Sequence, residues 1–362
     1  MSVAEVDSAG AGSFLEEYLS RLGAALQDER VVELAINPDG AVFLERLGQP
    51  HMEPAGVRLD APVQERLARA ICAEAQAAFS DKAPIISTAV KVRGQNLRAQ
   101  VVGPPAVLGG PAISLRKYVQ SSMAIADIGL LHGELVDLES RRASEAQAVR
   151  DLIAGGEMAA AWQRCIDARL NIPISGGTSS GKTTFARALL GLVDPRERVL
   201  TVEDSAEIHA PQPNSVQLIC ERKDGSARSS DLLLQSTLRM RPDRIILGEL
   251  RAGEAKTFLE AINTGHGGSF TTLHAETAAR AIERLALMVL STGIAMPYES
   301  VVRYCRQSID VVVQLGRQEG RRGVVEICSA PSPELYETEP TLEGWACATP
   351  YPRPAPAGCH PG

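Results

Sequence analysis

Aromatic residues make up only 4% of this 362-residue chain, with two Trp, six Tyr and six Phe. So few rings argue against the stacking platforms that hold single-stranded nucleic acid. Long apolar runs are missing too: none approaches the roughly 20 residues that a membrane-spanning helix needs. The opening Met-Ser-Val-Ala-Glu-Val-Asp lacks the basic and apolar parts of a signal peptide, so a cytoplasmic protein is expected. The seven Cys (72, 165, 220, 305, 328, 347 and 359) never form C-x-x-C. Their scatter speaks against a zinc site or a disulfide framework and fits a reducing compartment. A basic excess is absent as well: the net charge is -7, which gives no overall pull toward nucleic acid.

What is present is ordinary for a globular protein, with 44% hydrophobic and 22% charged residues. The length suffices for two domains with a core each. Phe14, Leu15, Tyr18, Leu19, Leu22 and Leu26 recur at helical spacing over 13–26, with Ser13 as N-cap. Strands are expected at 31–36 and 41–46 around the turn Asn37-Pro38-Asp39-Gly40, and a helix over 61–79. Strand-like pieces follow at 85–92, 97–102 and 112–118, so residues 1–140 read as a smaller N-terminal α+β domain. A long helix over 144–168 leads into short apolar strands alternating with helices, the pattern of a mostly parallel α/β sheet. The strands are expected at 171–175, 198–203, 214–220, 244–248 and 268–273, with closing strands at 310–315 and 323–327. Residues 141–330 thus read as a second domain, and 331–362 as a Pro-rich, disordered tail.

The second domain opens on Gly176-Gly177-Thr178-Ser179-Ser180-Gly181-Lys182-Thr183, a complete G-x-x-x-x-G-K-[ST]. An apolar strand precedes it and a helix follows, which is the context that gives the pattern meaning. Glycines let the backbone N–H groups turn inward, and the helix start adds its positive end to that cradle. Lys182 is placed to reach the β- and γ-phosphates of ATP, the Thr183 hydroxyl to sit on Mg²⁺, and Thr184 to extend the cradle. These residues fix nucleotide binding but not what hydrolysis drives.

Two further strand ends carry acids. Ile245-Ile-Leu-Gly248-Glu249 places Glu249 where ligands gather in open α/β sheets, to hold Mg²⁺ or orient the attacking water. The alternative is an ordinary exposed acid. Thr201-Val-Glu203-Asp204 ends another strand in two carboxylates, one of which could share the Mg²⁺ and water site, with Glu207 a weaker member. Gly265-His266-Gly-Gly-Ser-Phe-Thr271-Thr272-Leu-His274 sets two of the six His residues on one strand-like segment. His266 is the candidate for sensing the γ-phosphate. His274 is either a second nucleotide contact or a structural hydrogen-bond donor.

Taken in order, these four segments resemble the Walker A loop, Asp box, Walker B segment and His box of the secretion ATPases. That superfamily comprises the traffic ATPases of type IV secretion and their type II secretion and type IV pilus relatives. Gly-His-Gly-Gly-Ser-Phe-Thr-Thr-Leu-His-Ala is similar to the type IV secretion form of the His box, and the four-Cys insert of type II enzymes is absent. Asn37-Pro-Asp-Gly and Ile113-Ser-Leu-Arg116-Lys117 also resemble the N-terminal domain of that branch. Ser179 departs from the Gly of many relatives, which matters only if φ must be positive there.

The resemblance implies a RecA-like domain in a ring of six subunits, each nucleotide lodged between the two domains. Arg116 is then a candidate nucleotide contact, and Arg239, Arg241 and Arg251 are candidates for charge stabilisation. It further implies ATP hydrolysis with Mg²⁺, attachment to the cytoplasmic face of the inner membrane through membrane components of the machine, and only indirect dealings with exported protein or DNA. Sequence-specific nucleic-acid binding is not expected. A pilus or type II assembly motor is the alternative on the same fold; a helicase and a non-enzymatic scaffold are the readings from other classes.

Overall fold

In the computed structural model, residues 14–20, 22, 27–92, 94–118, 124–329 and 346–348 are described. The first elements in chain order are α1 (Phe14–Ser20), β1 (Val31–Ile36), β2 (Ala41–Arg46), β3 (Glu53–Arg58), α2 (Ala61–Glu74), β4 (Ile85–Val92), β5 (Gln95–Val102) and β6 (Ala112–Lys117). Next come α3 (Leu138–Ala154), α4 (Met158–Asp167), β7 (Ile172–Gly176), α5 (Lys182–Leu190), β8 (Val199–Glu203), β9 (Ser215–Ile219), α6 (Ser230–Thr237) and β10 (Arg244–Leu247). The chain closes with α7 (Glu254–Asn263), β11 (Phe270–Leu273), α8 (Ala278–Leu290), α9 (Tyr298–Ser308), β12 (Val311–Gln318), β13 (Arg321–Ser329) and β14 (Ala346–Ala348). Ser13, most of the segment after Ser20 and the tail apart from 346–348 lie outside the described residues. Among the described residues no helix is long and apolar enough to cross a membrane.

This mixed α/β chain divides into two compact units. The first comprises Met1–Asp127, Pro195–Ala206 and Gln212–Asp243; the second comprises Ile128–Asp194, Glu207–Pro211 and Arg244–Gly362. A division near residue 140 was expected, yet the first unit also takes two stretches from the later half of the chain. Backbone pairing explains that membership: Ile219 N–H donates to the Ala106 carbonyl at 2.8 Å, and Val107 bridges Leu218.

The first unit holds an antiparallel sheet in the order β3-β2-β1-β6-β5-β4. On central β1, Leu34 and Ile36 join the cluster with Leu15, Leu19, Val63, Leu67 and Ile71 of α1 and α2. Ala35, pointing the other way, meets Phe43 and Met52, as the two-residue period of a strand requires. In α2 the spacing of Val63, Leu67, Ala68, Ile71 and Cys72 makes the buried stripe, and Pro62 stands in the first turn, where its missing N–H costs nothing. Strand β3 was not foreseen, because its exposed residues and Pro54 carry no alternating apolar pattern; it survives as an edge. β8 and β9 form a parallel pair in the same unit.

In the second unit the strands run in the order β14-β13-β12-β7-β11-β10. β12, β7, β11 and β10 are mutually parallel, while β13 and β14 return antiparallel. β7 is buried along its whole length, as a strand covered on both faces must be. The single helix expected over 144–168 is two: α3 ends at Ala154, and Gly155-Gly156, with Gly156 at φ 81, turns the chain before α4. Cys72, Cys165, Cys220 and Cys305 are buried free thiols, whereas Cys328 is disulfide-bonded.

Candidate active site

The phosphate loop follows the C-terminal end of β7 and delivers the chain into α5. Two glycines are there for steric reasons. A Cβ on Gly176 would stand 2.6 Å from the Leu315 carbonyl oxygen and 2.5 Å from Ser180 Oγ. Gly181, the residue before the helix, has φ 97 in the left-handed region. Ser179 is also left-handed, at φ 59, so the departure from glycine noted in the sequence does carry backbone strain. No side chain caps α5. Its first-turn N–H groups, which no helix can satisfy internally, therefore point at the loop. Ser180 Oγ is buried without a hydrogen-bond partner. Such a cradle of backbone donors and an unpaired hydroxyl fits a phosphate group.

Lys182 is 9% exposed, and its ammonium donates to the carbonyls of Gly176 and Gly177, both at 2.9 Å. Burial pulls its pKa down, and the Glu249 carboxylate counters that. His274 follows the C-terminal end of β11, which runs parallel to β7 with Leu273 opposite Ser175. That register brings its Nδ1 to 3.5 Å from Lys182 Nζ. Its Nε2 stands 3.3 Å from Glu249 Oε1. Burial, then the Lys182 charge, lower the His274 pKa, with Glu249 opposing. A neutral ring accepting from Lys182 at Nδ1 and donating from Nε2 to Glu249 satisfies all three groups.

Glu249 lies just beyond β10, and its height is set by Thr272, whose hydroxyl donates to the Gly248 carbonyl at 2.6 Å. The Leu250 N–H donates to the Thr272 carbonyl at 2.8 Å, closing the clamp. Arg251 donates to Glu249 Oε2 at 2.7 Å. The line Lys182–His274–Glu249–Arg251 thus alternates cation, neutral ring, anion and cation across three adjacent strand ends. Thr183 is half-buried in the first turn of α5, and Thr184 next to it is exposed. Among the described residues no cage of three or more His, Cys, Asp or Glu side chains forms. One hydroxyl and one carboxylate beside a phosphate cradle are the oxygen donors that Mg²⁺, shared with phosphate, accepts.

His266 is not part of this group. It precedes β11, at the end of the parallel strands opposite to the loop, where its Nδ1–H donates to the Ala261 carbonyl at 3.2 Å and closes α7. Its pKa is lowered by burial. Strand polarity, invisible in residue spacing, puts His274 beside the loop and His266 at the other end of β11.

Glu203 and Arg116 belong to the first unit. Glu203 is buried at the end of β8, accepting from Thr201 Oγ1 at 3.0 Å and Gln217 Nε2 at 2.8 Å. Arg116 is exposed on β6, opposite Glu33 of β1. Arg241 is committed to Glu45 at 2.9 Å and Asp243 at 2.6 Å, and Arg239 donates to Ser87 Oγ at 2.9 Å. Sequence reasoning missed the Thr272 clamp and the service of Gln314, whose Nε2 donates to the Ala275 carbonyl at 3.0 Å and steadies the turn after His274. A hydroxyl one residue from a strand end gives no signal until pairing is known.

Strand, phosphate loop, helix and a strand-end acid define a P-loop nucleotide-binding α/β protein. Residues 141–326 match the model of the Type II/IV secretion system protein family, and the chain belongs to it. It is similar to the conjugal transfer protein TrbB of Rhizobium radiobacter, 34% identical over 310 residues, covering 85% of this chain and 86% of that one. It is also similar to the type IV secretion system protein VirB11 of Bartonella quintana, 33% identical with 86% and 92% covered. Among solved structures, the VirB11 ATPase of the Brucella suis type IV secretion system, in complex with sulphate, superposes with a TM-score of 0.75. That match is 30% identical and covers 88% of this chain and 98% of the other.

Proposed function

We propose that this protein hydrolyses ATP to ADP and phosphate and thereby powers substrate transport or assembly in a bacterial type IV secretion system. The observation that carries the reading is the chain of contacts from Lys182 through His274 to Glu249 at the mouth of the phosphate loop. The names of the relatives, conjugal transfer and type IV secretion proteins with an ATPase among them, favour this branch over a pilus or type II motor.

In this mechanism the loop from Gly176 to Thr184 holds the phosphates by backbone N–H groups, with Gly177, Thr178, Ser179 and Ser180 forming the curl. Lys182 exchanges its two carbonyl acceptors for phosphate oxygens and places positive charge where negative charge grows in the transition state. Glu249 orients the attacking water and accepts its proton, and His274 keeps that carboxylate in register with the lysine. Thr183, with Glu249, would hold Mg²⁺, which supplies charge neutralisation on the phosphates. Arg116 is a further contact in the assembled form. A ring of six subunits with a RecA-like domain is the accompanying architecture. It would sit at the cytoplasmic face of the inner membrane on membrane components of the machine, and exported protein or DNA would feel it only indirectly.

Lys182→Ala tests the reading. The variant should lose roughly ten- to hundredfold in ATP affinity, the worth of its charged hydrogen bonds. It should also fail to restore transfer in a cell lacking the gene. Unchanged turnover and transfer would overturn the assignment.

A further inference from the structure

β12 and β13 continue past the end of β7. Leu315 of β12 stands opposite Gly176, the last residue of β7, and from Gly316 onward the hairpin has no β7 partner. Its free end pairs Gly316 with Gly323, Arg317 with Arg322 and Gln318 with Arg321 around the turn Glu319-Gly320. The Leu315 carbonyl lies 2.6 Å from where a Cβ on Gly176 would be, so the hairpin runs against the phosphate loop itself. Farther along, Arg322 Cδ is 3.8 Å from the Cβ position of Gly181, the residue immediately before Lys182. Gly316 lets the two strands of the hairpin close on each other at the bulge: a Cβ there would stand 2.6 Å from Val325 Cγ1 of β13.

Arg322 is exposed, and among the described residues its guanidinium has neither an ion-pair nor a hydrogen-bond partner. Arg251, which stands by the Walker-type acid, is by contrast taken up by Glu249. An unpaired guanidinium whose stem touches a phosphate loop is a charge placed for an anion that arrives with the ligand. The loop itself supplies one cation, Lys182, to a triphosphate carrying several negative charges. We infer that Arg322 is a nucleotide-binding residue, with the β12–β13 hairpin holding its guanidinium on the phosphate chain of the nucleotide. The inference rests on the reading of the loop as an ATP site and adds a contact that no loop motif contains. Arg321, the adjacent residue, points to the opposite face of β13 and is the internal control.

The test is equilibrium binding of ATP, ADP and adenosine to the full-length chain and to Arg322→Gln, Arg322→Lys, Arg321→Gln and Lys182→Ala, with thermal melting of each. Arg322→Gln should weaken ATP and ADP by roughly ten- to hundredfold, the loss of a charge-assisted contact, and leave adenosine unchanged. The salt dependence of ATP binding should flatten in the same variant. Arg322→Lys should recover part of the loss, and Arg321→Gln should stay within about twofold, since an exposed charge off the site is worth little. ATP binding by Arg322→Gln within twofold of the parent, an equal loss of adenosine, or an equal loss in Arg321→Gln would each overturn the inference. If Lys182→Ala loses ATP while Arg322→Gln does not, only the hairpin contact falls. If the parent chain binds no ATP, the loop reading falls with it.

Discussion

Both units of this protein bury or half-bury charge, and they do so for opposite ends. In the first unit Arg198 is fully buried, its Nη1 donating to Asn37 Oδ1 at 2.7 Å and to Asn214 Oδ1, and its Nε to the Met240 carbonyl at 2.9 Å. Asn37 is itself held, donating to Asn214 Oδ1 at 3.1 Å, while Gln64 donates to the Asn37 carbonyl at 2.7 Å. Desolvation lowers the Arg198 pKa to about 10 and, with the Glu45 charge, raises that of Glu33 to about 7. In the second unit His274 and Glu249 stay partly exposed beside Lys182, and each contact can be exchanged for a ligand atom. Closed networks join distant segments of chain; open ones do chemistry. Perturbed pKa values alone would have pointed to buried groups such as Glu33 and Cys165, and only the geometry separates the two cases.

The largest effect should come from breaking the closed network. Arg198→Met leaves Asn37 Oδ1 and the Met240 carbonyl without their buried donor, and removing one member of a buried polar set costs about 3–5 kcal/mol. Urea unfolding should register that loss; a change below about 1 kcal/mol, within the range of surface substitutions, would contradict the description. Gly176→Ala should come next. Its methyl must displace the Leu315 carbonyl or Ser180, an overpacking cost of roughly 1–3 kcal/mol falling on the phosphate loop. ATP affinity, measured by titration calorimetry, should drop accordingly.

The Glu33 prediction concerns pH. Burial holds its folded pKa at about 7, above the ordinary 4.5, so between those values the folded state holds more protons than the unfolded one. Glu33 therefore makes stability fall as pH rises from 4.5 to 7, and the penalty is complete above 7. Glu33→Gln should flatten the denaturation midpoint across that window and be the more stable form above it; an unchanged slope would refute the buried carboxyl. Ser179→Gly should have the smallest effect. Relief of the left-handed strain, about 1–2 kcal/mol, is partly offset by the entropy glycine adds to the unfolded chain. A gain of a few-fold in nucleotide affinity is expected, and a loss would show that the serine side chain contributes a contact.

How much of this was legible beforehand follows from which interactions are local. Gly176–Thr183 announced the loop, because a phosphate cradle is built from consecutive residues. Most of the strand and helix periods were visible for the same reason. The choice between His266 and His274 was not, since it depends on which way β11 runs beside β7. Nor was the ownership of Arg198 and Glu203 by the first unit, which comes from pairing with residues around Asn37 and Ala106. Arg322 was silent because a charged residue in a hairpin looks like any solvated arginine until the hairpin is placed. Ser179 needed its φ angle before it counted as strained.

The most direct measurement is single-turnover hydrolysis by Glu249→Gln beside the parent protein, with ATP binding followed in the same samples. The amide keeps the shape and the Arg251 and His274 neighbourhood but cannot take a proton. ATP should bind within a few-fold of the parent while hydrolysis falls by roughly 10²–10⁴, the usual worth of a general base. Hydrolysis within threefold of the parent would remove Glu249 from the chemistry and with it the catalytic line drawn from Lys182.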